Sequence, residues 1–208
     1  MRYLLFIIAI ASAQAVILDR VAVSVGRQVI TESDVIRDLR VAAFLDRQPV
    51  DLSAAQKRKA ADRLVDQLLI LQEAAFGRIP LPAKADAEHL VDPVKAEYGE
   101  DYESALKRYR ITENDVTEQL FDGMRALRYT ELRFKPEVQF SDNDVHELYS
   151  TMVEEWKRKG EQKIPGFEES REQLEKLLTD QRTAQALDRW LANQRSETPI
   201  LYRDEVFK

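Results

Sequence analysis

Two histidines and no cysteine are all that this chain of 208 residues offers for metal or thiol chemistry. His89 sits in DAEHLVD and His146 in DNDVHEL. Neither belongs to a His pair four residues apart, the spacing that sets two imidazoles on one helix face for zinc, and neither neighbours a nucleophile. Both read as solvated helix residues. DNDVHE has the oxygen-rich start of a calcium loop, but Glu147 stands where that loop needs Gly for its turn. The paired carboxylates Glu154 and Glu155, and Glu168 and Glu169, fall at helix edges, where acids near an N-terminus complement the helix dipole. The six glycines are scattered, so no phosphate-cradling loop is present, and no Gly-x-Ser-x-Gly motif occurs. No catalytic residue, no metal ligand and no cofactor is expected.

Aromatic residues offer a different chemistry. Tyr98, Tyr102, Tyr109, Phe121, Tyr129 and Phe134 crowd the middle third of the chain, with Met124 among them. Two uses fit them: packing helices together, or lining an apolar groove for extended peptide, where Tyr gives area and a hydrogen bond at low entropy cost. These seven are the candidate client-binding residues.

The elements that must position them are mostly helices. Apolar residues recur at helical spacing over about 32–47, 53–77, 102–109, 113–134, 142–159 and 168–195. Val116, Leu120, Met124 and Leu127 share one face of the fourth of these. Leu174, Leu177, Ala184, Leu187 and Leu191 form a stripe on the last, interrupted by Gln181. Between IPLP and Tyr98 a further helix is expected, kinked or split at Pro93. Three helix starts share one layout, ITESDV, ITENDV and FSDNDV: an apolar residue, a Ser or Thr cap, an Asp three residues on, then Val. That is a capping box with a hydrophobic staple. Ser53 with Gln56 suggests a fourth box.

Strands are expected only at the ends. In RVAVSVGRQVI, Val21, Val23 and Val25 alternate with small or polar residues, and Gly26-Arg27 suits a two-residue hairpin turn. A lone hairpin is marginal in water. TPILYRDEV at the other end, with Ile200 and Tyr202 alternating, is the expected third strand.

The first residues, MRYLLFIIAIASAQA, have a charged start, an apolar middle and small residues at Ala13 and Ala15. This is the layout of a secretory signal peptide cleaved after Ala15. The apolar run is too short for a span of about 20 residues. The expected mature chain, 16–208, is cysteine-free and depends on its core rather than on disulfides. Its formal charge of −6 falls to about −7 once Arg2 leaves with the leader. Net acidity disfavours nucleic acid as a partner, and no stable membrane insertion is expected.

DRVAVSVGRQVITESDV followed by RLVDQLLILQEA resembles the SurA N-terminal domain family of periplasmic chaperones. Asp19, Val21, Val25, Val29, Ile30, Glu32, Ser33, Asp34 and Val35 carry the first part. Leu64, Gln67, Leu68, Ile70 and Gln72 carry the second. Near the end, Phe167, Glu168, Glu169, Ala186, Leu187, Trp190 and Leu191 resemble the family's C-terminal helix. The likeness is good at both ends and weaker over 79–135. The family usually carries one or two parvulin-type prolyl isomerase domains between the equivalents of DNDVHELY and the Phe-Glu-Glu helix. Here KRKGEQKIPGF fills that place. A domain of on the order of a hundred residues cannot be built from eleven.

The resemblance therefore implies a mainly helical chaperone domain with a small antiparallel sheet made from both termini. Residues 16–159 would be its N-terminal part, 160–166 a connector in place of the isomerase, and 167–208 the C-terminal helix and strand. It implies a periplasmic holdase for unfolded outer-membrane proteins, without isomerase activity, and the outer-membrane assembly machinery as a further partner. Two alternatives stay open: a structural or adaptor subunit of an envelope complex, and an isomerase with a cryptic site.

Overall fold

The structure is a computed structural model, and it describes residues 19–161 and 163–208. The leader expected over 1–15 and the Val16 start lie outside the described residues. Strands β1 (Val21–Val25), β2 (Gln28–Thr31) and β3 (Ile200–Tyr202) form one antiparallel sheet in the order β2-β1-β3. The two ends of the described chain thus meet in one sheet, as the alternation of Ile200 and Tyr202 suggests. Gly26 takes φ +56° and Arg27 does not go positive, the pattern of a type II′ hairpin turn. The valine alternation holds with one irregularity. A bulge between Val21 and Val23 turns Ala22 inward as well, so Ala22 and Val23 are both buried while Val21 is half-buried.

Helices among the described residues are α1 (Glu32–Leu45), α2 (Ala54–Phe76), α3 (Asp92–Tyr98), α4 (Tyr102–Tyr109), α5 (Glu113–Arg133), α6 (Asp142–Lys159) and α7 (Phe167–Glu197). The molecule is mainly α with a small sheet. All three expected capping boxes form. Thr31, Thr112 and Ser141 each accept from the backbone N–H of the Asp three residues on, and each Asp accepts the cap's own N–H. Such a cap contributes about 1 kcal/mol.

Two local expectations differ. Ser53 makes no side-chain cap. Its N–H instead donates to the Asp51 carboxylate at 2.8 Å, so a turn two residues earlier does the work that Gln56 was expected to share. His89 lies in a turn rather than a helix, because the segment after IPLP splits into a short 3-10 turn, Lys84–Ala87, and α3. Pro93 sits in the first turn of α3, where its missing N–H has no intrahelical partner to lose.

Three helices pack on the inner face of the sheet or beside it. Ala22, Val23, Val25 and Ile30 meet Val35 and Leu39 of α1 and Ala61, Val65 and Leu69 of α2. Trp190 and Leu191 of α7 close the cluster. A polar staple fastens the C-terminal end of α7 to α2. Arg195 donates to the Asp66 carboxylate at 2.6 Å and to the Asp62 carbonyl at 2.9 Å, and the Tyr202 hydroxyl donates to the Asp62 carboxylate. The Asp66 hydrogen bond pushes the Arg195 pKa up.

α7 runs through two settings. Its C-terminal half lies on α2 and α5, where Ala186, Leu187, Trp190 and Leu191 pack around Ile70, Ala74, Tyr129 and Phe134. Its N-terminal half pairs with α6 as a helical hairpin around Val145, Leu174 and Leu178. Arg182 latches the hairpin at the midpoint by donating to the Gln139 carbonyl and, at 2.7 Å, to the Asp144 carboxylate that also caps α6. Gly160 closes α6 in the left-handed region at φ +77°, and Tyr149 donates to the Pro165 carbonyl at 2.9 Å just before α7 begins.

Candidate binding trough along the last helix

The aromatics singled out in the sequence do not line one open surface. Tyr98, Tyr102 and Tyr109 gather around Phe44, which is fully buried at the end of α1. Tyr98 stacks on the Phe44 ring at 4.5 Å, and Tyr102 and Tyr109 meet it edge-on at 5.9 and 5.7 Å. Two of the three hydroxyls are spent on the backbone: Tyr98 donates to the Phe44 carbonyl at 2.5 Å and Tyr109 to the Gln48 carbonyl at 3.0 Å. The Tyr102 hydroxyl is pushed up to about 12 by burial and by the Glu113 carboxylate.

Tyr129 and Phe134 form a second cluster with Trp190, at ring distances of 5.7 and 6.0 Å from the indole. The Tyr129 hydroxyl is buried with no hydrogen-bond partner among the described residues, and burial pushes it up to about 12 as well. Phe121 and Met124, half-buried on α5, keep a free edge, and so does Tyr98, which is half-buried on α3. Four of the seven, Tyr102, Tyr109, Tyr129 and Phe134, are therefore buried inside the helical packing, and Tyr98 is packed against Phe44 at its edge. A tyrosine whose hydroxyl reaches a backbone carbonyl can be buried at little cost, and spacing alone does not reveal that partner.

An open apolar surface exists elsewhere, along α7. Between α6 and the N-terminal half of α7 lies a hollow of about 340 Å³ lined by Met152, Trp156, Pro165, Leu174 and Leu177. Between α2, α5 and the later part of α7 lies a larger hollow of about 730 Å³. Ile70, Ala126, Leu127, Ala184 and Leu187 supply its apolar lining. Both hollows include Lys176 and Asp180, so they adjoin across one turn of α7 and make a single trough. Leu127 is 62% exposed and Leu177 38% exposed at its walls.

The sequence explains why the trough stays open. The α7 stripe is apolar over more than half a helix circumference, but α6 covers only the Leu174–Leu178 side and α2 and α5 cover only the Leu187–Leu191 side. Leu177, at the edge of the α6 covering, and Ala184, beyond it, stay exposed. Gln181, the interruption in the stripe, falls between them.

Charges at the rim are few and mixed. Glu131 pairs with Arg128 at 3.4 Å. Lys176 and Asp180, although one turn apart, form no ion pair or hydrogen bond among the described residues. Met152 and Trp156 build the trough and escaped the sequence reading, and Ile70 entered it only through the family resemblance. Leu127, Leu177, Ala184 and Leu187 were visible in it as helix stripes, but a stripe does not show which part of it is left uncovered.

A second, polar hollow of about 80 Å³ sits where α1, α2 and α5 meet. Asp34, Asp115 and Asp122 face it, with Arg37 held to Asp34 at 2.7 Å and reaching Asp115 at 3.9 Å. Beside it, burial pushes the Asp38 carboxyl up in spite of Arg63 at 2.5 Å, and burial also raises Asp122. Among the described residues no group of three or more His, Asp or Glu is disposed to hold a metal ion. His89 rests on Asp92 at 2.9 Å and His146 stacks on Phe167 at 3.9 Å, both on the surface.

No family model and no curated protein matches this chain. Among the described residues no helix is long and apolar enough to cross a membrane.

Proposed function

We propose that this protein is a holdase: it binds apolar segments of unfolded polypeptides in the trough along α7 and keeps them from aggregating. One observation carries the reading. Two adjoining apolar hollows lie open along α7, with Leu127 of α5 and Leu177 of α7 exposed at their walls, while Leu174 and Leu178 of the same helix are buried. Surface of that kind costs free energy in water and is retained where something covers it. Binding lowers the free concentration of unfolded client by mass action. Broad specificity follows, because an open trough with mixed rim charges selects apolar surface rather than one side chain.

The resemblance to the SurA N-terminal domain family supports the more specific form of the proposal. In that form the chain is exported to the periplasm, its clients are unfolded outer-membrane proteins, it works beside the outer-membrane assembly machinery, and it lacks isomerase activity. Strands of such clients alternate apolar and polar residues. The test is light scattering from a urea-unfolded outer-membrane β-barrel diluted with and without the protein. Suppression at near-stoichiometric ratios is expected, and unchanged scattering would sink the holdase reading. A proline-peptide assay checks the isomerase point, with no acceleration expected.

One observation favours an adaptor role instead. Val29 and Leu201 both pair with Ser24 across the sheet, so they share its outer face, and each is about half exposed. A permanent partner on that face would appear as a stoichiometric companion in a pull-down, lost on Val29→Glu.

A further inference from the structure

We propose that β3 is the seam of a symmetric dimer, in which the β3 edges of two copies of this chain pair antiparallel about a two-fold axis at Leu201. A dimer of this kind does not depend on the holdase reading. β3 is an edge of the sheet, and its main chain is used on one side only. The Gly26 N–H donates to the Pro199 carbonyl at 2.9 Å, and the Arg203 N–H donates to the Ala22 carbonyl at 2.9 Å. Ser24 faces Leu201 between these two bonds. Main-chain groups alternate in direction along a strand, so those of Pro199, Leu201 and Arg203 turn to β1, and those of Ile200 and Tyr202 turn away from it. The outward N–H and C=O groups of Ile200 and Tyr202 have no hydrogen-bond partner among the described residues.

The side chains mark the same open edge. Ile200 and Tyr202, on the inner face, are only half-buried, whereas Val23 and Val25 beside them on β1 are fully buried. Leu201, on the outer face, is 52% exposed. Edges are commonly blunted by charges, proline, bulges or a covering element. β3 has no charge or proline within it, and the bulge of this sheet lies on the β1–β2 side. The strand is also held in place from within, by the bond from the Tyr202 hydroxyl to Asp62 of α2.

Symmetry selects the occupant. An axis at Leu201 sets Ile200 opposite Tyr202 of the second copy, and Tyr202 opposite Ile200 of the second copy. Both are outward-bonding positions, so each free N–H of one edge meets a free C=O of the other. Leu201 meets Leu201 of the second copy as the pair without hydrogen bonds, with Cα atoms about 4.5 Å apart. Each exposed leucine then covers the other, and the outer stripe of Val29, Ser24 and Leu201 runs on into its symmetry mate. Arg203 falls opposite Pro199 of the second copy, so no like charges face each other at the seam. A client strand would match the hydrogen bonds, but only a second copy brings a leucine fixed at the axis and a proline opposite the arginine. Strands this short bury little area, so the dimer is reversible rather than permanent.

The chain has no cysteine, so a single introduced one reports the axis. Under mild oxidation of the full chain, Leu201→Cys is expected to form a disulfide-linked dimer at least about tenfold faster than Val29→Cys, because Cα atoms about 4.5 Å apart are within disulfide reach. Val29 lies five strand spacings from its mate, about 24 Å. In sedimentation, Leu201→Lys sets two cations face to face at the axis and should stay monomeric at concentrations where the unaltered chain and Val29→Glu dimerise. Leu201 and Val29 are both exposed, and an unchanged urea midpoint shows that the fold survives each substitution. A monomer at every concentration, or equal cross-linking rates for the two cysteines, would overturn the dimer. Cross-linking of Leu201→Cys to a cysteine-bearing peptide of alternating apolar and polar residues, in preference to its own kind, would assign the edge to an extended client and overturn the second copy. A dimer lost in Val29→Glu and kept in Leu201→Lys would move the contact to the outer face and overturn the seam.

Discussion

The aromatic cluster around Phe44 and the trough along α7 draw on the same kinds of residue and end in opposite states. Around Phe44, three tyrosines arrive, one from α3 and two from α4, and every ring finds another ring within 6.4 Å. Short helices joined by tight turns let side chains close on a single centre. Along α7, the helix is too long for its neighbours. It has 31 residues, about 46 Å at 1.5 Å per residue, and the elements packed on it cover its two halves from different sides. What remains between them is apolar and open. An aromatic cluster in sequence therefore points to a core, and a long apolar stripe with coverings of unequal reach points to a surface that can bind.

Removing the centre of the closed region should have the largest effect. Phe44→Ala is expected to cost about 3–5 kcal/mol, because a fully buried ring leaves a cavity its neighbours cannot fill. Urea unfolding measures this. A loss below about 1 kcal/mol would mean that the cluster is loosely packed and that its tyrosines are free to face a client.

The open region should respond in the reverse way. Leu177→Asp places a charge in the wall shared with Trp156 and Met152. It is expected to change stability by no more than about 0.5 kcal/mol, as exposed substitutions do, and to weaken client binding about tenfold. Loss of scattering suppression with an unchanged urea midpoint is the signature. Equal loss of both would make the trough part of the core. Binding through an apolar wall should also survive a rise in salt, since screening weakens charge contacts and not apolar ones.

Hydroxyls sharpen the comparison at a smaller scale. Tyr98→Phe removes a bond to the Phe44 carbonyl and should cost about 1 kcal/mol. Tyr129→Phe removes a buried hydroxyl that bonds nothing among the described residues, and should be neutral or stabilising by about 1 kcal/mol. Thermal melts of the pair should move in different directions. A destabilised Tyr129→Phe would point to a water-mediated partner for that hydroxyl.

The smallest effect is on pH. Hydrogen bonds from the Ser141 backbone and hydroxyl, then Arg182, hold the Asp144 carboxyl below its usual range of about 3.8. Its contribution to the α6 cap is present above the unfolded pKa and is lost as pH falls through the lower folded value. Asp38 is the opposite case. Burial raises its pKa, so ionisation destabilises the α1–α2 junction as pH rises through 3.8 towards the folded value, and acid relieves it. Hydrogen exchange, corrected for intrinsic rates, should therefore show the first turn of α6 loosening below pH 4 before α1 does. Loosening of both together would mean that the hairpin is not an independent unit.

The difference between the regions also marks how far the sequence could be read. Helix starts were legible to the residue, because a capping box is made within four residues and needs nothing from elsewhere. Thr31 with Asp34, Thr112 with Asp115 and Ser141 with Asp144 all close as written. The Ser53 box failed for a reason just as local, the competing carboxylate of Asp51. The sheet was legible because its two halves carry strand-period valines and isoleucine, although the bulge that turns Ala22 inward was not. The destination of the aromatics was not legible. Tyr109 and Tyr129 look alike in sequence, yet one spends its hydroxyl on Gln48 and the other on nothing among the described residues. Arg182 and Arg195, which latch the two halves of α7, are indistinguishable there from any solvated arginine.

The sequence by itself determined the helix and strand inventory, the joining of the two ends in one sheet, and the lack of metal-ligand and nucleophile motifs, since each depends on residue type or short-range spacing. Only the tertiary structure decided which apolar residues were covered. That depends on where α2, α5 and α6 end over α7, a matter of lengths and crossing positions that no single stretch of sequence encodes. Leu177 and Leu178 are adjacent in the chain and equally apolar. α6 buries one and leaves the other facing the trough.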